Sequence, residues 1–380
     1  MKLQEYQAKS LLKQAGIPVP VSMLATNAVQ VKRIASEIGC PVVLKAQILE
    51  RGRGKAGGIR LVQHEQEAEQ IGNEIFKLEI NHQSVQSILV EKAFTFLREY
   101  YLGIRSDLDF GAPVLRISEA GGATCLEENT FQNAKIVDRK IDIDQGLRPY
   151  QVRQLLTNID IAPSLWKQFE AIALKLYDIY RSNDATLAEI NSLVVTHQEQ
   201  LYALDAKIIV DSQALYRQES FLDSFDPSYY GWLELQARKF GVTYHQFSGE
   251  LGCIVNGMGL AYLTFDHLIA LNSVPAAIID IHGGSTVSSM ASSLELLLLN
   301  DNIKAILINI YGGMTNCEEI AEGICAATRN ERHKKPIFLR LKGTNDTIAI
   351  NKLSGLNHLQ IFDSTQELVE AALDYIRDSQ

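Results

Sequence analysis

A regular alternation of strand-like and helical segments after residue 250 constrains the fold of this chain more than any other feature of its sequence. Each apolar, strand-like run is followed by a stretch of helical periodicity. Because parallel strands need a long crossover between them, this spacing predicts a parallel sheet wrapped by helices, a doubly wound α/β domain. The five strands are expected at 251–256, 276–282, 303–311, 336–342 and 359–362.

The part of the chain up to about residue 215 has a different pattern, in which strand-like runs follow one another closely. This predicts a mixed α+β domain with mostly antiparallel strands. Two runs, 186–196 and 201–210, flank the polar turn 197–200 and predict a hairpin. The other strands are expected at 41–46, 59–62, 87–93, 99–106 and 112–118, and the helices at 3–14, 27–38, 64–78 and 163–181.

A chain of 380 residues is long enough for roughly two or three domains. We predict a first domain over 1–218, a connector over 219–245 and a second domain over 246–380. The connector is rich in aromatic residues rather than in glycine, serine and proline, which indicates a packed segment and not a flexible linker. Its aromatic residues include Phe221, Phe225, Tyr229, Tyr230 and Trp232.

The composition argues against several classes of function. The chain has 36 basic and 45 acidic residues, and this net charge of −9 is unfavourable for a general nucleic-acid binder. Its apolar runs stay short of the ~20 residues of a membrane span, and the polar start, Met1–Glu5, is unlike a signal peptide. Five scattered cysteines without a Cys-x-x-Cys pair predict reduced thiols in the cytoplasm.

A basic, glycine-rich segment, 51–58, directly follows the strand that carries Lys45. Glycines allow backbone N–H groups to approach a phosphate closely, and Arg53 and Lys55 add positive charge. The segment lacks the Gly-Lys-Ser/Thr ending of a P-loop, and a strand rather than a helix follows it. It therefore predicts a phosphate-binding loop of another type, although a flexible basic hairpin tip would have the same composition.

The predicted hairpin carries polar residues at informative positions. Strand alternation places Glu189 and Asn191 on one face of its first strand, and Asp205 lies on its second strand. An amide and a carboxylate oxygen from facing strands suit Mg²⁺, which takes few protein ligands and completes its shell with phosphate and water. The pattern predicts a magnesium site, with a solvated strand face as the alternative.

Three strands of the second domain end in glycine-bearing turns, Asn256–Gly259, Gly283–Ser285 and Gly312–Thr315. Ligands of open α/β sheets bind at the carboxyl ends of the strands. Helices begin at the same edge, and their free N–H groups favour anions. Together the turns predict an anion-binding rim for a phosphate or carboxylate, whereas each alone would be ordinary turn chemistry.

In combination, these segments resemble the β subunit of succinyl-CoA synthetase (succinate–CoA ligase) along essentially the whole chain. The matching motifs follow in the same order across both predicted domains, which makes the resemblance specific. They are Leu3–Lys9, Val43–Gln47, Gly52–Gly58, Glu189–Asn191, Leu204–Asp205, Ala214–Gln218, Gly252–Gly257 and Asn309–Gly313.

The resemblance implies an N-terminal ATP-grasp domain followed by a C-terminal flavodoxin-like, doubly wound parallel-sheet CoA-ligase domain. The implied reaction converts ATP, succinate and CoA to ADP, phosphate and succinyl-CoA through a phosphohistidine. In this family the phosphohistidine and most of the CoA site belong to a separate α subunit, which is the implied partner. Mg²⁺ is the implied cofactor, and ATP or ADP the implied nucleotide.

The resemblance also implies roles for individual residues of the first domain. The residues implied to contact the nucleotide phosphates are Lys45, Gly52, Arg53 and Gly54. The residues implied at the adenine hinge are Glu91 and Phe94, and near the ribose Glu99. The implied Mg²⁺ ligands are Asn191 and Asp205, and the implied catalytic residue, which would steady the phosphohistidine, is Glu189.

In the second domain, the resemblance implies a carboxylate substrate site. Its residues are Asn256 and, in the neighbouring turn, Gly313, Met314 and Thr315.

The chain departs from the family pattern mainly around this carboxylate site. The family motif Asp-x-Gly-Gly-Gly-Ala is represented by Asp280–Ser285, in which His282 is predicted to be a packed turn residue rather than a catalytic group. The family motif Gly-Gly-Ile-Val-Arg-Cys is represented by Gly312–Cys317, without the arginine. Two alternatives therefore stay open: a ligase for another dicarboxylate such as malate, and a non-catalytic regulatory paralogue that binds an α subunit.

Overall fold

The structure is a computed structural model that describes residues 1–49, 52–81, 83–107, 110–121, 135–222, 231–329 and 335–378. The chain divides into two compact units, Met1–Phe225 and Asp226–Gln380, which are described separately. The division falls inside the predicted connector, 219–245. Residues 223–230 of that connector, with Phe225, Tyr229 and Tyr230, lie outside the described residues.

The first unit is mixed α+β, as the sequence predicts. Its helices are α1 (Glu5–Gln14), α2 (Ala28–Ile38), α3 (Glu65–Phe76), α4 (Pro149–Leu156), α5 (Trp166–Ser182) and α6 (Glu219–Leu222). Its strands are β1 (Ser22–Ala25), β2 (Val42–Ala46), β3 (Ile59–Val62), β4 (Glu79–Ile80), β5 (Gln83–Ser84), β6 (Ile88–Lys92), β7 (Arg98–Asp107), β8 (Ala112–Ser118), β9 (Ile136–Lys140), β10 (Ala185–Val195), β11 (Leu201–Ala203) and β12 (Ala206–Val210).

Strands β1, β6, β2 and β3 form, in that order, an antiparallel sheet. The apolar faces of α2 and α3 complete its core, with Val31 and Ile75 fully buried there. The β-branched residues of β2 favour this central, buried position. Pairing then places Lys45 of β2 opposite Leu89 of β6 and Ile59 of β3.

A second antiparallel sheet has the order β11, β10, β7, β8 and β9, with β12 also paired to β10. Helix α5 packs on it and carries Phe169, which is fully buried against Tyr100 of β7 with the two rings 5.3 Å apart. Both sheets agree with the mostly antiparallel arrangement that the sequence predicts.

The second strand of the predicted hairpin is not continuous, which corrects the expectation of one strand over 201–210. It is divided into β11 and β12 at Leu204 and Asp205. The partner strand β10 keeps one register with β11 and β12 on both sides of this break, while its pairing with β7 on the other side shifts between Asn191 and Leu193. There the Leu204 N–H donates to the Ser192 carbonyl at 2.9 Å and the Asn191 N–H to the Asp205 carbonyl at 3.1 Å. Leu204 and Asp205 therefore remain hydrogen-bonded to β10 through the backbone although they lie outside both strands.

The second unit confirms the predicted alternation of strands and helices. Its helices are α7 (Trp232–Lys239), α8 (Met258–Ala270), α9 (Val287–Leu298), α10 (Cys317–Thr328), α11 (Asp346–Leu353) and α12 (Thr365–Asp378). Its strands are β13 (Thr243–Gln246), β14 (Leu251–Val255), β15 (Ala277–Asp280), β16 (Ala305–Asn316), β17 (Ile337–Thr344) and β18 (Leu359–Ile361).

These strands form one sheet with the order β13, β15, β14, β16, β17 and β18. The five strands from β14 onward are parallel, and β13 pairs antiparallel with β15. Numbered from β14, the parallel strands have the order 2-1-3-4-5 of the flavodoxin-like fold. In that order the strand connections reverse direction between β14 and β16, so a ligand crevice is expected at their carboxyl ends.

Strand β16 continues beyond its predicted end at residue 311. Its pairing with β17 shifts between Gly312 and Asn316, so the glycine turn lies within the strand's length.

Across the described residues, no helix is both long and apolar enough to cross a membrane.

The motif Ala214–Gln218 closes the first unit through an ionic clasp. The Arg217 guanidinium and the Gln218 amide donate to the Asp184 carboxylate at 2.6 to 2.9 Å. Asp184 stands at the start of β10 with φ +48°. Hydrogen bonds from Arg217 and then Gln218 lower the pKa of Asp184 from 3.8 to about 2. The motif thus has a structural function, holding the end of the unit to β10.

We expect Asp184→Asn to lower the free energy of unfolding at pH 7 by up to about 1 kcal/mol, the usual limit for a partly exposed ion pair. Because the folded-state pKa is depressed, the wild-type advantage is present above the unfolded pKa and is lost as the pH falls from 3.8 to about 2. Urea unfolding at pH 7 and near pH 2 measures both values. Asp178→Asn, an exposed change on α5, is the control. Equal losses at both pH values would contradict the clasp.

Candidate active site

Lys45 lies in a buried position of β2 with three oxygen partners. Its Nζ atom is 2.9 Å from Glu5 Oε1, 2.8 Å from Glu91 Oε1 and 2.6 Å from the Leu204 carbonyl oxygen. These partners come from α1, from β6 and from the break between β11 and β12. The site is therefore assembled by segments that are distant in sequence.

Arg53 extends from the glycine-rich segment to the same place. Its Nη2 atom is 2.6 Å from Glu5 Oε2 and 2.7 Å from Asp205 Oδ2, and its Nη1 atom donates to the Ala46 carbonyl at 3.3 Å. In the same segment, Gly52 has φ +97°. The predicted phosphate-contacting residues Lys45 and Arg53 are thus brought together, with Gly52 and Gly54 on the segment that carries Arg53.

Two residues of this site were not assigned a role from the sequence. Glu5 touches Lys45 and Arg53, and Lys9 of the next helical turn pairs with Glu5 at 2.9 Å and with Glu91. A signal was present, because charged residues at i and i+4 interrupt the apolar face of α1. We call the six side chains the ion cluster: Glu5, Lys9, Lys45, Arg53, Glu91 and Asp205.

Charge interactions within the ion cluster favour the charged form of each group whose pKa is shifted. Burial opposes ionisation of Glu5, but Arg53, Lys45 and Lys9 together hold the pKa of its carboxyl well below the usual range. Burial likewise disfavours the charged lysine, yet the carboxylates of Glu5 and Glu91 raise the pKa of Lys45. The cluster therefore holds three cations and three carboxylates in close balance.

Asn191 and Asp205 are adjacent through the backbone hydrogen bond at the break in the hairpin. One offers an amide oxygen and the other a carboxylate whose side chain is 37% exposed. Within the described ranges, no group of three or more His, Cys, Asp or Glu side chains could hold a metal. An amide oxygen and a carboxylate fit Mg²⁺, which would complete its shell with phosphate oxygens and water.

Glu189, the predicted catalytic residue, is buried on β10. The Tyr101 hydroxyl donates to its Oε2 atom at 2.9 Å. A side chain is excluded from Gly103, which pairs with Glu189, because a Cβ atom there would lie 2.4 Å from the same hydroxyl. The sequence therefore fixes the carboxylate through a glycine that makes room for Tyr101.

The residues predicted near adenine and ribose lie close to the hairpin. The Phe94 ring is 4.9 Å from that of Tyr202 on β11. Glu99 accepts a hydrogen bond from the Ser192 hydroxyl at 2.6 Å, which holds this carboxylate. Glu99 also lines a cavity of about 400 Å³ with Arg98, Tyr100, Glu119, Ala120, Gly121 and Asp160. Glu91, in contrast, belongs to the ion cluster.

The second unit brings its predicted substrate residues together at the carboxyl ends of β14 and β16. Asn256 Nδ2 donates to Thr315 Oγ1 at 2.8 Å, and Asn256 Oδ1 accepts from the Tyr311 N–H at 3.0 Å. Gly313 and Met314 lie between these partners in the turn. Met314 is 84% exposed, so its side chain is available at the rim.

His282 and Asp280 form the neighbouring part of this rim. Asp280 is fully buried, and its Oδ1 atom accepts N–H bonds from Gly257 at 2.7 Å and His282 at 2.8 Å. The His282 ring is 3.5 Å from Asp280 Oδ2 and 3.2 Å from Thr243 Oγ1. Its side chain is 46% exposed. The imidazole is thus held by the turn while part of it faces solvent.

The position of the missing family arginine is occupied by Asn316, which begins α10. Its Oδ1 atom accepts from the Glu318 N–H at 3.1 Å, so the residue caps the helix. The rim consequently has a helix cap at the position of the arginine in the family motif.

We expect Gly343→Ala to displace the turn at residues 312–315. Gly343 has φ +145°, and a Cβ atom there would lie 2.2 Å from the Gly312 carbonyl oxygen. Strain and collision together should lower the free energy of unfolding by about 2 kcal/mol or more. Denaturant unfolding measures the loss. Gly355→Ala, with open space at the new Cβ, is the matched control, and equal small effects in both variants would contradict the packing described.

Comparison with known proteins agrees with both units. Residues 2–195 match the ATP-grasp domain family and residues 254–372 match the CoA-ligase family. These matches confirm the predicted fold class. An ATP citrate lyase structure from Methanothrix soehngenii, in complex with citrate and coenzyme A, has a TM-score of 0.73 at 18% identity. It covers 98% of this chain and 99% of that chain, and it shows similarity of fold.

Curated relatives named succinate–CoA ligase [ADP-forming] subunit beta match along nearly the whole chain. That of Aquifex aeolicus is 38% identical over 98% of this chain and 99% of its own length. The relative from Geobacter sulfurreducens is 38% identical over 97% of this chain and 98% of its own length. The relative from Chloroflexus aurantiacus is 40% identical over 91% of this chain and 91% of its own length. The chain therefore belongs to the family of ADP-forming succinate–CoA ligase β subunits.

Proposed function

We propose that this chain catalyses the ATP-dependent steps of a carboxylate–CoA ligase, with succinate as the acid. As a β subunit it acts in a heteromer with an α subunit. ATP, succinate and CoA are converted to ADP, phosphate and succinyl-CoA, and a histidine of the α subunit carries the phosphoryl group between steps. The observation that carries the proposal is the convergence of Lys45, Arg53 and Asp205 in one site of an ATP-grasp unit.

Nucleotide binding exchanges one set of ion pairs for another. In the structure, the Arg53 guanidinium is paired with Asp205 at 2.7 Å. In the proposed complex Arg53 and Lys45 bind phosphate oxygens, while Asp205 and Asn191 hold Mg²⁺. Every charge keeps an opposite partner, which avoids the large penalty of a buried unpaired charge. When bound, Mg²⁺ neutralises charge on the transferred phosphoryl group.

Glu189 has the arrangement needed to orient an incoming imidazole. Its carboxylate is buried and fixed by the Tyr101 hydroxyl, and an ionised carboxylate accepts an N–H bond from a histidine ring. Such a bond leaves the other ring nitrogen available to accept the γ-phosphoryl group of ATP. Phe94 and Glu99 are proposed to contact the adenine and ribose parts of the same nucleotide.

The rim of the second unit is proposed to bind the acid. Phosphohistidine transfers its phosphoryl group to a carboxylate oxygen of the acid, giving an acyl phosphate and free histidine. The CoA thiolate then attacks the acyl carbon and phosphate leaves. The backbone N–H groups of the turn Gly313–Thr315 are proposed as neutral donors to the carboxylate anion. Asn256 would hold this turn in place, because its side-chain amide donates to Thr315 Oγ1 and to the Tyr311 carbonyl.

A second candidate acid is a hydroxylated dicarboxylate such as malate. The observation that favours it is the altered rim, where His282 and Met314 are exposed and Asn316 replaces the family arginine with a helix cap. A polar imidazole at this rim offers a hydrogen-bond partner for a hydroxyl that succinate lacks.

We also propose a cytoplasmic location. The described cysteines, Cys40, Cys253, Cys317 and Cys325, are free thiols, a state that the reducing cytoplasm maintains.

Reconstitution with the α subunit tests the proposed function. We expect Mg²⁺-dependent transfer of the γ-phosphoryl group of ATP to an α-subunit histidine, followed by acyl-CoA formation. Lys45→Met should slow the transfer by about 100-fold or more, since a charge-assisted contact to the transferred group is lost. Lys32→Met, at an exposed ion pair on α2, is the control. Stable α-subunit binding without any transfer would favour the regulatory alternative.

A substrate panel distinguishes the acids. The wild-type complex is assayed with succinate, malate, itaconate and glutarate, and kcat/KM is compared. The highest kcat/KM for succinate supports the leading proposal. A preference for malate that is lost in His282→Gly would instead assign specificity to the altered rim.

A further inference from the structure

We propose that Glu5 and Lys9 of α1 are positioning residues for phosphoryl transfer: Lys9 leaves the buried site with one net positive charge for the phosphates, and Glu5 fixes Lys45 and Arg53 in place. The inference rests on the proposed nucleotide site. It assigns a function to the opening motif Leu3–Lys9, which the proposed reaction does not otherwise use.

Both residues are inside the protein: Glu5 is bound to the phosphate-site cations Lys45 and Arg53, and Lys9 is bound to Glu5 and Glu91. The side chains of Glu5 and Lys9 are 2% and 3% exposed. Glu5 Oε1 is 2.9 Å from both Lys9 Nζ and Lys45 Nζ, and Glu5 Oε2 is 2.6 Å from Arg53 Nη2. One carboxylate therefore spans the distance between the two cations that are proposed to bind phosphate. Its own place is fixed by α1 and by Lys9.

The charge balance of the ion cluster gives Lys9 its role. Asp205 is its most exposed carboxylate and is the one proposed to move to Mg²⁺. The two buried carboxylates, Glu5 and Glu91, then remain with three cations, Lys9, Lys45 and Arg53. The remainder is one positive charge. Without Lys9, the two carboxylates would neutralise Lys45 and Arg53 completely, and the site would have no net attraction for phosphate.

Loss of Glu5 should affect the affinity for nucleotide in the opposite direction from loss of Lys9. Removing its charge leaves the site more positive, so nucleotide binding does not weaken. Loss of the carboxylate also frees Lys45 and Arg53 from the group that holds both of them, so phosphoryl transfer slows. A purely structural pair would behave differently, because loss of either member would weaken binding and stability together.

The test measures binding of Mg·ATP to the αβ complex by calorimetry, with adenosine as the ligand that lacks phosphates. We expect Lys9→Met to weaken Mg·ATP binding by about tenfold and to leave adenosine binding within about twofold. We expect Glu5→Gln to bind Mg·ATP at least as tightly as wild type while slowing phosphoryl transfer by about tenfold. Lys13→Met, an exposed lysine one turn further along α1, is the matched control.

Two further variants distinguish the loss of a charge from the loss of the folded structure. Lys9→Arg retains the charge and should bind Mg·ATP close to the wild-type affinity. Lys9→Met combined with Glu5→Gln restores the balance of buried charge, so it should fold even where Lys9→Met does not, and its Mg·ATP affinity should return to within about threefold of wild type.

The outcomes distinguish a failure of the positioning role from a failure of the proposed nucleotide site. Weaker Mg·ATP binding in both Lys9→Met and Glu5→Gln, without recovery in the double variant, would overturn the positioning role. Unchanged Mg·ATP binding in Lys9→Met would overturn it as well. Unchanged Mg·ATP binding in Lys45→Met would instead overturn the proposed nucleotide site. Opposite shifts in Lys9→Met and Glu5→Gln, with recovery in the double variant, would support the inference.

Discussion

The contact of the Glu5 carboxylate with Lys9, Lys45 and Arg53 holds together the part of the molecule on which the proposed chemistry depends. Glu5 lies in the first turn of α1, where the helix dipole favours a negative charge. Buried charges are stable only in close, well-bonded groups, and loss of one member leaves its partners unpaired. The sequence therefore has to provide all the members of the ion cluster, and the fold has to bring them to one place.

Several features of the first unit follow from that requirement. The sheet that contains β2 presents Lys45, and β6 beside it presents Glu91. The glycine-rich segment returns Arg53 toward the end of β2, where it donates to the Ala46 carbonyl. The break in the hairpin directs the Leu204 carbonyl to Lys45. A regular strand across 201–210 would keep that carbonyl within the sheet, so the irregular backbone serves the site.

The sequence predicted the second unit well because burial on both faces of a parallel sheet leaves continuous apolar runs, and helical periodicity separates them clearly. It predicted the rim at Asn256 and Thr315 because carboxyl strand ends share one edge. The break at Leu204 and Asp205 was missed, since the hairpin keeps its register across the break and the side-chain polarity shows no interruption there. The contacts of Glu5 were missed because its partners Lys45 and Arg53 come from distant segments: the interrupted apolar face of α1 indicates a buried charge but not what binds it.

In the proposed mechanism, Mg·ATP replaces the internal ion pair between Arg53 and Asp205. A crystal structure of the αβ complex with Mg²⁺ and a non-hydrolysable ATP analogue measures this directly. We expect the distance between Arg53 Nη2 and Asp205 Oδ2 to increase from 2.7 Å. Arg53 should then contact a phosphate oxygen and Asp205 should coordinate Mg²⁺. A nucleotide bound elsewhere, with the Arg53–Asp205 pair intact, would show that Mg·ATP does not replace this ion pair.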